Sequence, residues 1–253
     1  MGLIWNDPPH VAQSKAPSKS FRSLFTSRNS KSFKSPSSFD LQARIEGRDW
    51  PESAFTMIGL ARLNNVQYCV EDVILNGVSG DLIEAGVWRG GASIFMRAIL
   101  KAHGITDRTV WVADSFSGLP PPNPDKYPAD YGDIHHTIDL LRVPLEEVRS
   151  NFVKFDLLDD KVQFLKGWFS ETLPAAPISK LAVLRIDADM YESTLDALTS
   201  LYPKLSAGGY VIIDDYGVLR PCKAAVDDYR AANGIADTIT SVDRCGVFWK
   251  HSS

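Results

Sequence analysis

Beyond residue 80, short apolar runs alternate with segments of helical periodicity, and this alternation limits the fold more than any other feature. Such an order predicts βαβ units, hence an α/β fold with a mostly parallel sheet flanked by helices. A further helical pattern covers residues 54–76, and the run at 246–250 predicts an edge or antiparallel strand. The apolar runs are residues 81–87, 109–116, 162–169, 181–189 and 208–216, and the helical segments between them are residues 94–104, 145–155 and 191–205.

Length and composition exclude several classes of protein. A chain of 253 residues is long enough for one α/β domain with a sizeable core. The net charge of -4 argues against a broad nucleic-acid surface, and no apolar run is long enough to span a membrane. The three cysteines are scattered, which predicts neither a disulfide framework nor a zinc site and fits a reducing cytoplasm.

Residues 1–39 differ in composition from the rest of the chain. They are rich in serine and contain six basic residues against one acid, Asp7, for a net charge of +5. A segment with so few apolar residues cannot form a core, so we expect a disordered extension. Its composition also fits an organelle transit peptide, although it lacks the apolar stretch of a secretory signal. We assign residues 40–253 to a single domain.

The first candidate site is EAGVWRGG, residues 84–91, which follows the first predicted strand. Ligands of parallel α/β sheets bind at the carboxyl ends of the strands. A glycine-rich turn there lets a ligand approach the backbone, although such a turn also arises for packing alone. The spacing of Gly86, Gly90 and Gly91 is not the dinucleotide fingerprint. The carboxylate of Glu84 suits an ammonium or sulfonium group better than a phosphate.

The second candidate site is ADSFSG, residues 113–118, in which Asp114 ends the second predicted strand. A carboxylate at this point can accept hydrogen bonds from both hydroxyls of a ribose, although it can also cap a helix. Combined with the glycine-rich turn, it predicts a cofactor that contains adenosine. The two motifs leave open whether that cofactor is S-adenosylmethionine or a nicotinamide dinucleotide.

Two acidic pairs follow the last two predicted parallel strands: Asp187 and Asp189 end LAVLRIDAD, and Asp214 and Asp215 end GGYVIIDDY. If these strands are neighbours, four carboxylates converge on one edge of the sheet, and their repulsion raises their pKa values. Mg²⁺ would relieve that repulsion, and its open positions can bind and acidify a substrate hydroxyl. Some of the acids could instead cap helices. We favour a metal with three carboxylate ligands and one free base.

Residues 118–144 form a proline-rich segment that is longer than most loops of compact domains, and such segments are usually lids, binding loops or disordered. It contains His135 and His136, which are either candidate bases or solvated side chains. Farther along the chain, Trp168 could stack on an adenine or pack in the core.

Taken together, these motifs resemble the macrocin O-methyltransferase family, whose members methylate sugar hydroxyls in macrolide and aminocoumarin antibiotic biosynthesis. The resemblance runs from about residue 50 to the C-terminus. It implies a Rossmann-like class I methyltransferase fold and a homo-oligomer. The stretches that carry it are FTMIGLARLNN, EAGVWRGGA, VWVADSFSGLP, LLDDKVQFLKGWFSETLP, LAVLRIDADMYEST and SAGGYVIIDDYG.

The resemblance also implies S-adenosylmethionine as methyl donor and Mg²⁺ as the metal. By position it makes Asp189 the general base and Asp187, Asp214 and Asp215 the metal ligands. The residues that it assigns to the cofactor site are Thr56, Met57, Glu84, Ala85, Gly86, Val87, Trp88, Arg89, Asp114, Ser115 and Trp168.

We therefore expect a metal-dependent O-methyltransferase that acts on a small-molecule hydroxyl, such as a sugar hydroxyl of a glycosylated natural product. Neither a nucleic acid nor a membrane is expected as a partner. One alternative is a phenol or catechol acceptor. A second is a non-catalytic S-adenosylmethionine-binding module, but such a module has no need of a base such as Asp189.

Overall fold

The computed structural model describes residues 40–49 and 53–252, in which seven α-helices and seven strands occur. Four short 3₁₀ helices lie at Pro128–Asp130, His135–Thr137, Asp139–Leu141 and Tyr202–Lys204. The α-helices are α1 (Leu41–Ile45), α2 (Leu60–Leu75), α3 (Gly91–Ala102), α4 (Leu145–Lys154), α5 (Phe169–Ala175), α6 (Tyr191–Leu201) and α7 (Arg220–Ala232). The strands are β1 (Asp81–Ala85), β2 (Val110–Asp114), β3 (Val162–Lys166), β4 (Leu181–Ile186), β5 (Leu205–Ile213), β6 (Thr240–Ser241) and β7 (Val247–Lys250).

The strands form one sheet in the order β3-β2-β1-β4-β5-β7-β6. Strands β1 to β5 pair in parallel, whereas β7 is antiparallel to both β5 and β6. The chain changes direction across the sheet between β1 and β4, and such switch points are where ligands bind in these folds. The register there sets Glu84 directly beside Arg185. This architecture confirms the predicted α/β fold.

Helices cover both faces of the sheet because successive residues of a strand point to opposite sides. On β2, Val110 and Val112 join a buried cluster with residues of α2, α3 and α4. Trp111 and Ala113 instead join a cluster with residues of α5, α6 and α7. The two apolar layers hold the strands rigidly, so the carboxyl ends of β1, β2, β4 and β5 present their loops from a fixed base.

Each of the five predicted parallel strands is present, but each ends two or more residues before the predicted end of its run. The run 181–189 is a strand only over Leu181–Ile186, and the run 208–216 is a strand over Leu205–Ile213. The acids that follow lie in loops, because the backbone turns away from the sheet there; Asp189, for example, has a φ of +56°.

The helix predicted over residues 54–76 is too long, since α2 begins only at Leu60 after the N-cap residue Gly59. The preceding residues instead pass along the glycine-rich turn, where the amide of Gly91 donates to the carbonyl oxygen of Phe55 at 2.9 Å. Helices α1, α5 and α7 and the short strand β6 are absent from the sequence prediction.

The prediction for residues 1–39 lies outside the described residues. Among the described helices, none combines the length and apolar character needed to cross a bilayer. Cys69, Cys222 and Cys245 are buried free thiols.

Candidate active site

A cavity of about 980 Å³ opens at the carboxyl edge of the parallel strands. Its volume is near the upper end of the range for small-molecule sites. Most of the residues singled out in the sequence line this cavity. From the cofactor segments these are Thr56, Met57, Glu84, Gly86, Val87, Trp88, Asp114, Ser115 and Trp168, and from the acidic pairs Asp187, Asp189, Asp214 and Asp215.

Two residues of the predicted cofactor segment do not line the cavity. Ala85 is fully buried and packs with the cluster on the side of α5, α6 and α7. Arg89 donates from Nη1 to the carbonyl oxygen of Ala54 at 3.0 Å, and its Nε lies 3.6 Å from the Glu147 carboxylate. The alternation of side chains along β1 accounts for Ala85, whose neighbour Glu84 is the one that lines the cavity.

The glycines of the turn after β1 are required by the packing of the protein itself. Gly86 has a φ of +88°, and a Cβ there would lie 1.7 Å from the carbonyl oxygen of Asp187. A Cβ at Gly91 would lie 2.4 Å from the carbonyl oxygen of Phe55. Glycine is therefore necessary for the loops after β1 and β4 to meet, before any ligand is considered.

Asp114 ends β2 and ties two loops of the cavity together. Its Oδ2 accepts a hydrogen bond from the amide of Val87 at 2.8 Å, and its Oδ1 accepts one from the amide of Phe116 at 2.8 Å. Burial raises the pKa of Asp114, while these amide hydrogen bonds oppose the increase. Each carboxylate oxygen has a second lone pair, so Asp114 can still accept hydrogen bonds from ligand hydroxyls.

Asp187, Asp214 and Asp215 converge at the ends of β4 and β5. The amide of Asp187 donates to the carbonyl oxygen of Ala85 at 2.8 Å, and that of Asp214 to Ile186 at 3.0 Å, which continues the sheet register into the loops. One carboxylate oxygen from each of the three aspartates lies within 4.8 Å of the others. Hard divalent cations prefer such a set of oxygen donors.

Two buried arginines neutralise part of the negative charge. Arg185 donates to Glu84 at 2.7 Å and to Asp187 at 3.0 Å, and it also forms an ion pair with Asp214. Arg62, on α2, pairs with the second carboxylate oxygen of Asp214. Because a buried charge is tolerated only when paired, these arginines allow several carboxylates to share one small volume.

The negative charge that the arginines do not neutralise raises the pKa values of the neighbouring aspartates. Burial, together with the charge of Asp214, raises the pKa of Asp187 to about 8 although Arg185 opposes it. Burial and the charges of Asp189 and Asp187 raise the pKa of Asp215 well above its usual range. Asp215 Oδ2 is buried and has no hydrogen-bond partner among the described residues. A cation between Asp187 and Asp215 would satisfy that oxygen.

Asp189 lies beside the three converging aspartates but is not one of them. Its φ of +56° is uncommon for a residue other than glycine, and such conformations often occur at active sites, where the surroundings fix a side chain. Burial raises the pKa of Asp189, whereas the nearby charge of His135 lowers it. A carboxylate next to a candidate metal-ligand set, yet outside it, could act as a proton acceptor.

We refer to residues 118–144 as the acceptor loop, and a buried aspartate connects this loop to helix α6. Asp130 is fully buried and accepts hydrogen bonds from the amides of Tyr191 at 2.7 Å and Glu192 at 3.0 Å. These residues begin α6, whose own N-cap residue, Met190, makes no side-chain capping bond. The acceptor loop therefore supplies the cap of the helix that starts two residues after the candidate base.

The two histidines of the acceptor loop have different surroundings. His135 Nδ1 lies 2.6 Å from Asp133 Oδ2, and both side chains are largely buried. Although burial lowers the pKa of His135, Asp133 and Asp189 together raise it above its usual value. The carbonyl oxygen of His136 accepts a hydrogen bond from Arg142 at 2.7 Å. His135 is thus the histidine whose charge interacts with Asp189.

Sequence analysis did not single out Arg62, Arg185 or Asp130. For Arg185 a signal exists, since a charged residue inside the apolar run LAVLRI must be paired once it is buried. Arg62 and Asp130 have their partners 152 and 61 residues away along the chain. No local spacing in the sequence indicates such contacts.

Comparison with known proteins identifies the family of this chain. The family model described as macrocin-O-methyltransferase (TylF) matches residues 2–251, a wider range than the resemblance from residue 50 onward. Demethyldecarbamoylnovobiocin O-methyltransferase from Streptomyces niveus is 53% identical over 252 residues, which cover 99% of this chain and 89% of that protein.

Two further relatives agree with this match. The 8-demethyl-8-(2,3-dimethoxy-alpha-L-rhamnosyl)-tetracenomycin-C 4'-O-methyltransferase from Streptomyces olivaceus is 57% identical over 215 residues, which cover 85% of this chain and 82% of that protein. The solved structure of the O-methyltransferase NovP superposes with a TM-score of 0.83 at 58% identity, covering 85% of this chain and 90% of NovP. The chain belongs to the macrocin O-methyltransferase family and is an S-adenosylmethionine-dependent O-methyltransferase.

Proposed function

We propose that this enzyme uses S-adenosylmethionine and Mg²⁺ to methylate a sugar hydroxyl of a glycosylated natural product in antibiotic biosynthesis. The relatives support this acceptor class: one is named for demethyldecarbamoylnovobiocin and another for the 4' position of a rhamnosyl tetracenomycin C. The observation that carries the proposal is the convergence of Asp187, Asp214 and Asp215 beside Asp189, in the cavity that Asp114 also lines.

The methyl donor fits the side of the cavity formed by β1 and β2. Asp114 would accept hydrogen bonds from the two ribose hydroxyls, since its bonds to backbone amides fix its orientation. Trp168 lines the cavity and is 37% exposed, and we assign its ring to stacking on the adenine. The carboxylate of Glu84 already pairs with Arg185 and Ser93, and we therefore assign it mainly to holding the loops.

A divalent cation fits the edge formed by β4 and β5. Asp187, Asp214 and Asp215 would be its protein ligands, because the arginines leave part of their charge unpaired and one oxygen of Asp215 lacks a partner among the described residues. When bound, the cation supplies Lewis acidity that lowers the pKa of an acceptor hydroxyl. Asp189 then accepts the hydroxyl proton, the acceptor oxygen forms a bond to the methyl carbon, and the bond from that carbon to sulfur breaks.

The contribution of the protein is chiefly alignment of oxygen, carbon and sulfur. Orientation of bound reactants can account for up to about 7 to 11 kcal/mol of a barrier. The rigid sheet holds Asp114 at the end of β2, and the loops after β4 and β5 hold the aspartates. The donor and the acceptor are thereby brought together from opposite sides of one cavity.

The test is incubation of the purified enzyme with S-adenosylmethionine and a panel of glycosylated natural products, followed by mass spectrometry for the gain of one methyl group. We expect turnover of a glycoside with Mg²⁺, loss of turnover in EDTA, and recovery when Mg²⁺ is added back. Full activity after thorough removal of metal would refute the metal dependence. Methylation of phenols or catechols alone would refute the sugar acceptor.

We also propose that the enzyme is a cytoplasmic homo-oligomer whose partner is its small-molecule acceptor, not a nucleic acid or a membrane. Its three buried free cysteines are compatible with a reducing compartment. Light scattering coupled to size-exclusion chromatography measures the subunit number directly, and a monomeric mass would exclude the homo-oligomer.

A further inference from the structure

The indole of Trp88 joins the glycine-rich turn after β1 to the acceptor loop. Its Nε1 donates a hydrogen bond to the carbonyl oxygen of Leu140 at 2.8 Å, between residues that are 52 positions apart in the chain. Trp88 lines the cavity, and so does Leu141, the residue that follows the bonded carbonyl. A single hydrogen bond therefore connects the turn on the donor side of the cavity to the loop that forms part of its wall.

The backbone of Trp88 is held in an uncommon conformation. Its φ is +47°, in the left-handed region that residues with bulky side chains rarely occupy. Such a conformation persists where the surroundings fix it. Here the amide of Val87 donates to Asp114 Oδ2 at 2.8 Å, and the amide of Gly90 donates to the carbonyl oxygen of Val87 at 2.7 Å. The turn and the end of β2 thus set the direction in which the indole leaves the backbone.

The indole ring is also held by its neighbours. The guanidinium of Arg89 lies 4.4 Å from the centroid of the ring, a distance typical of a cation–π contact. The ring packs partly buried against the apolar cluster on the side of α2, α3 and α4. The N–H group that meets Leu140 therefore belongs to a side chain that is already oriented. Formation of this hydrogen bond orders the loop, because the indole has little freedom left to lose.

The part of the acceptor loop that Trp88 reaches is built from short local hydrogen bonds. It contains the 3₁₀ helices His135–Thr137 and Asp139–Leu141, in which the amide of Leu141, for example, donates to the carbonyl oxygen of Ile138 at 3.1 Å. Bonds within a loop keep its shape but do not fix its place on the protein. The hydrogen bond from Trp88 does, because it comes from a turn fixed to the sheet.

We infer that Trp88 is a positioning residue that makes the placement of the acceptor loop depend on the bound donor. A donor whose ribose binds Asp114 lies against the same turn, so it stabilises the arrangement in which the indole N–H meets Leu140. Donor and acceptor loop are then coupled through two short hydrogen bonds, one on each side of the turn. This inference rests on the proposed function, because it takes Asp114 as the ribose ligand. Trp88 acts through Leu140 and takes no part in methyl or proton transfer.

The test measures amide hydrogen exchange of residues 134–142 in the intact enzyme, with and without saturating S-adenosylhomocysteine, the product that remains when the donor has lost its methyl group. We expect this compound to slow exchange about 5- to 50-fold in the wild type, within the usual range of coupling between two sites. Trp88→Phe keeps an aromatic ring but removes the N–H donor. At its own saturating concentration, the compound should slow exchange in this variant by less than about twofold.

Steady-state methyl transfer provides a second measurement, with a glycoside that the wild type is shown to methylate. Because a loop that is not held in place binds the acceptor poorly but can still close on it, Trp88→Phe should raise the KM for the glycoside about 5- to 50-fold. Its kcat at saturating glycoside should fall less than its kcat/KM. A fall in kcat at unchanged KM would contradict a role in placing the loop.

The matched control is Trp111→Phe. It removes an indole N–H that also donates at 2.8 Å, but to Asp81 at the start of β1, and Trp111 does not line the cavity. Exchange in this variant should respond to S-adenosylhomocysteine as in the wild type, even if its melting temperature falls. Equal slowing in the wild type and Trp88→Phe, no slowing in a wild type that binds the compound, or a matching loss in Trp111→Phe would each overturn the inference. Unchanged binding of the compound in Asp114→Asn would instead refute the proposed donor site.

Discussion

Arg185, in the middle of the sheet on β4, forms an ion pair with Asp214, one of the three aspartates proposed to bind the metal. The same guanidinium donates to Glu84 at 2.7 Å, and its side chain is only 1% exposed. The acidic edge of the cavity thus surrounds the guanidinium of Arg185, a positive charge that the protein itself supplies. The carboxylate of Asp214 that we propose as a metal ligand is therefore also part of a buried ion pair.

Replacing Arg185 with leucine should destabilise the protein severely. The substitution leaves Glu84 and Asp214 with buried charge that is less well compensated, and losing one partner of a buried ion pair costs about 3 to 5 kcal/mol. Urea unfolding followed by circular dichroism measures the free energy of unfolding. Arg220→Leu is the control, because Arg220 is exposed at the start of α7 and its loss should change stability by no more than about 0.5 kcal/mol. Equal stability of the two variants would contradict the assignment.

Mg²⁺ binding should strengthen as the pH rises towards 8. Burial and Asp214 raise the pKa of Asp187 from 3.8 to about 8, so the folded protein keeps a proton that the unfolded chain loses near pH 4. Without metal, this carboxyl therefore makes stability fall as the pH rises from about 4 to about 8. A metal ligand must be deprotonated, so binding below pH 8 releases a proton.

Calorimetric titrations with Mg²⁺ at several pH values test this expectation. The apparent affinity should rise with pH by about tenfold per pH unit for each carboxyl that must lose a proton, which includes Asp187 below pH 8 and also Asp215, whose pKa is raised as well. Asp187→Asn should reduce this dependence, because the titrating group is removed. An affinity that does not vary with pH in the wild type would show that Asp187 is already ionised before the metal binds.

Substitutions of Asp187 and of Asp189 should impair methyl transfer in different ways. Asp189→Asn should retain cofactor and metal binding but lose the base, with a fall in turnover of about 10²- to 10⁴-fold. Asp187→Asn should raise the Mg²⁺ requirement, and saturating metal should recover part of the rate. Mg²⁺ titrations of methyl transfer separate the two. If excess metal rescues Asp189→Asn and not Asp187→Asn, the two roles are reversed.

Asp114→Asn should weaken binding of S-adenosylmethionine by about 1.5 to 3 kcal/mol, the scale of a hydrogen bond to a charged group. Asparagine keeps one acceptor oxygen for the neighbouring amides, so the melting temperature serves as a check on the fold. Asp107→Asn is a suitable control because Asp107 is exposed in the loop before β2. Wild-type affinity in a folded Asp114→Asn protein would remove Asp114 from the cofactor site.

The parallel strands could be predicted because a strand buried on both faces is a nearly continuous apolar run, as Leu181–Ile186 is apart from Arg185. The acids that follow these strands could also be predicted to lie outside the core, because an unpaired charge is not tolerated inside it. Helix α7 had a readable signal as well, since its buried residues recur at helical spacing. They are Cys222, Ala225, Val226 and Tyr229.

The rest of the site depends on contacts between distant parts of the chain. The cap that Asp130 provides for α6 and the ion pair between Arg62 and Asp214 join elements that no local pattern relates. The sequence analysis explained Gly86 by the close approach of a ligand. In the structure, however, the backbone of Asp187 already leaves no room for a side chain at this position. Such requirements become visible only when the strands are placed side by side.

Arg62 and Arg185 are synthesised with the polypeptide, whereas the divalent cation that we propose would have to be acquired from the surrounding cell. Because these two side chains already balance part of the acidic charge, we expect the chain to fold before the ion binds. Under the proposed metal dependence, folding of the protein and its activation are separate events. A cell could then accumulate the folded enzyme in advance, and its output would follow the supply of free magnesium and acceptor instead of the rate of translation.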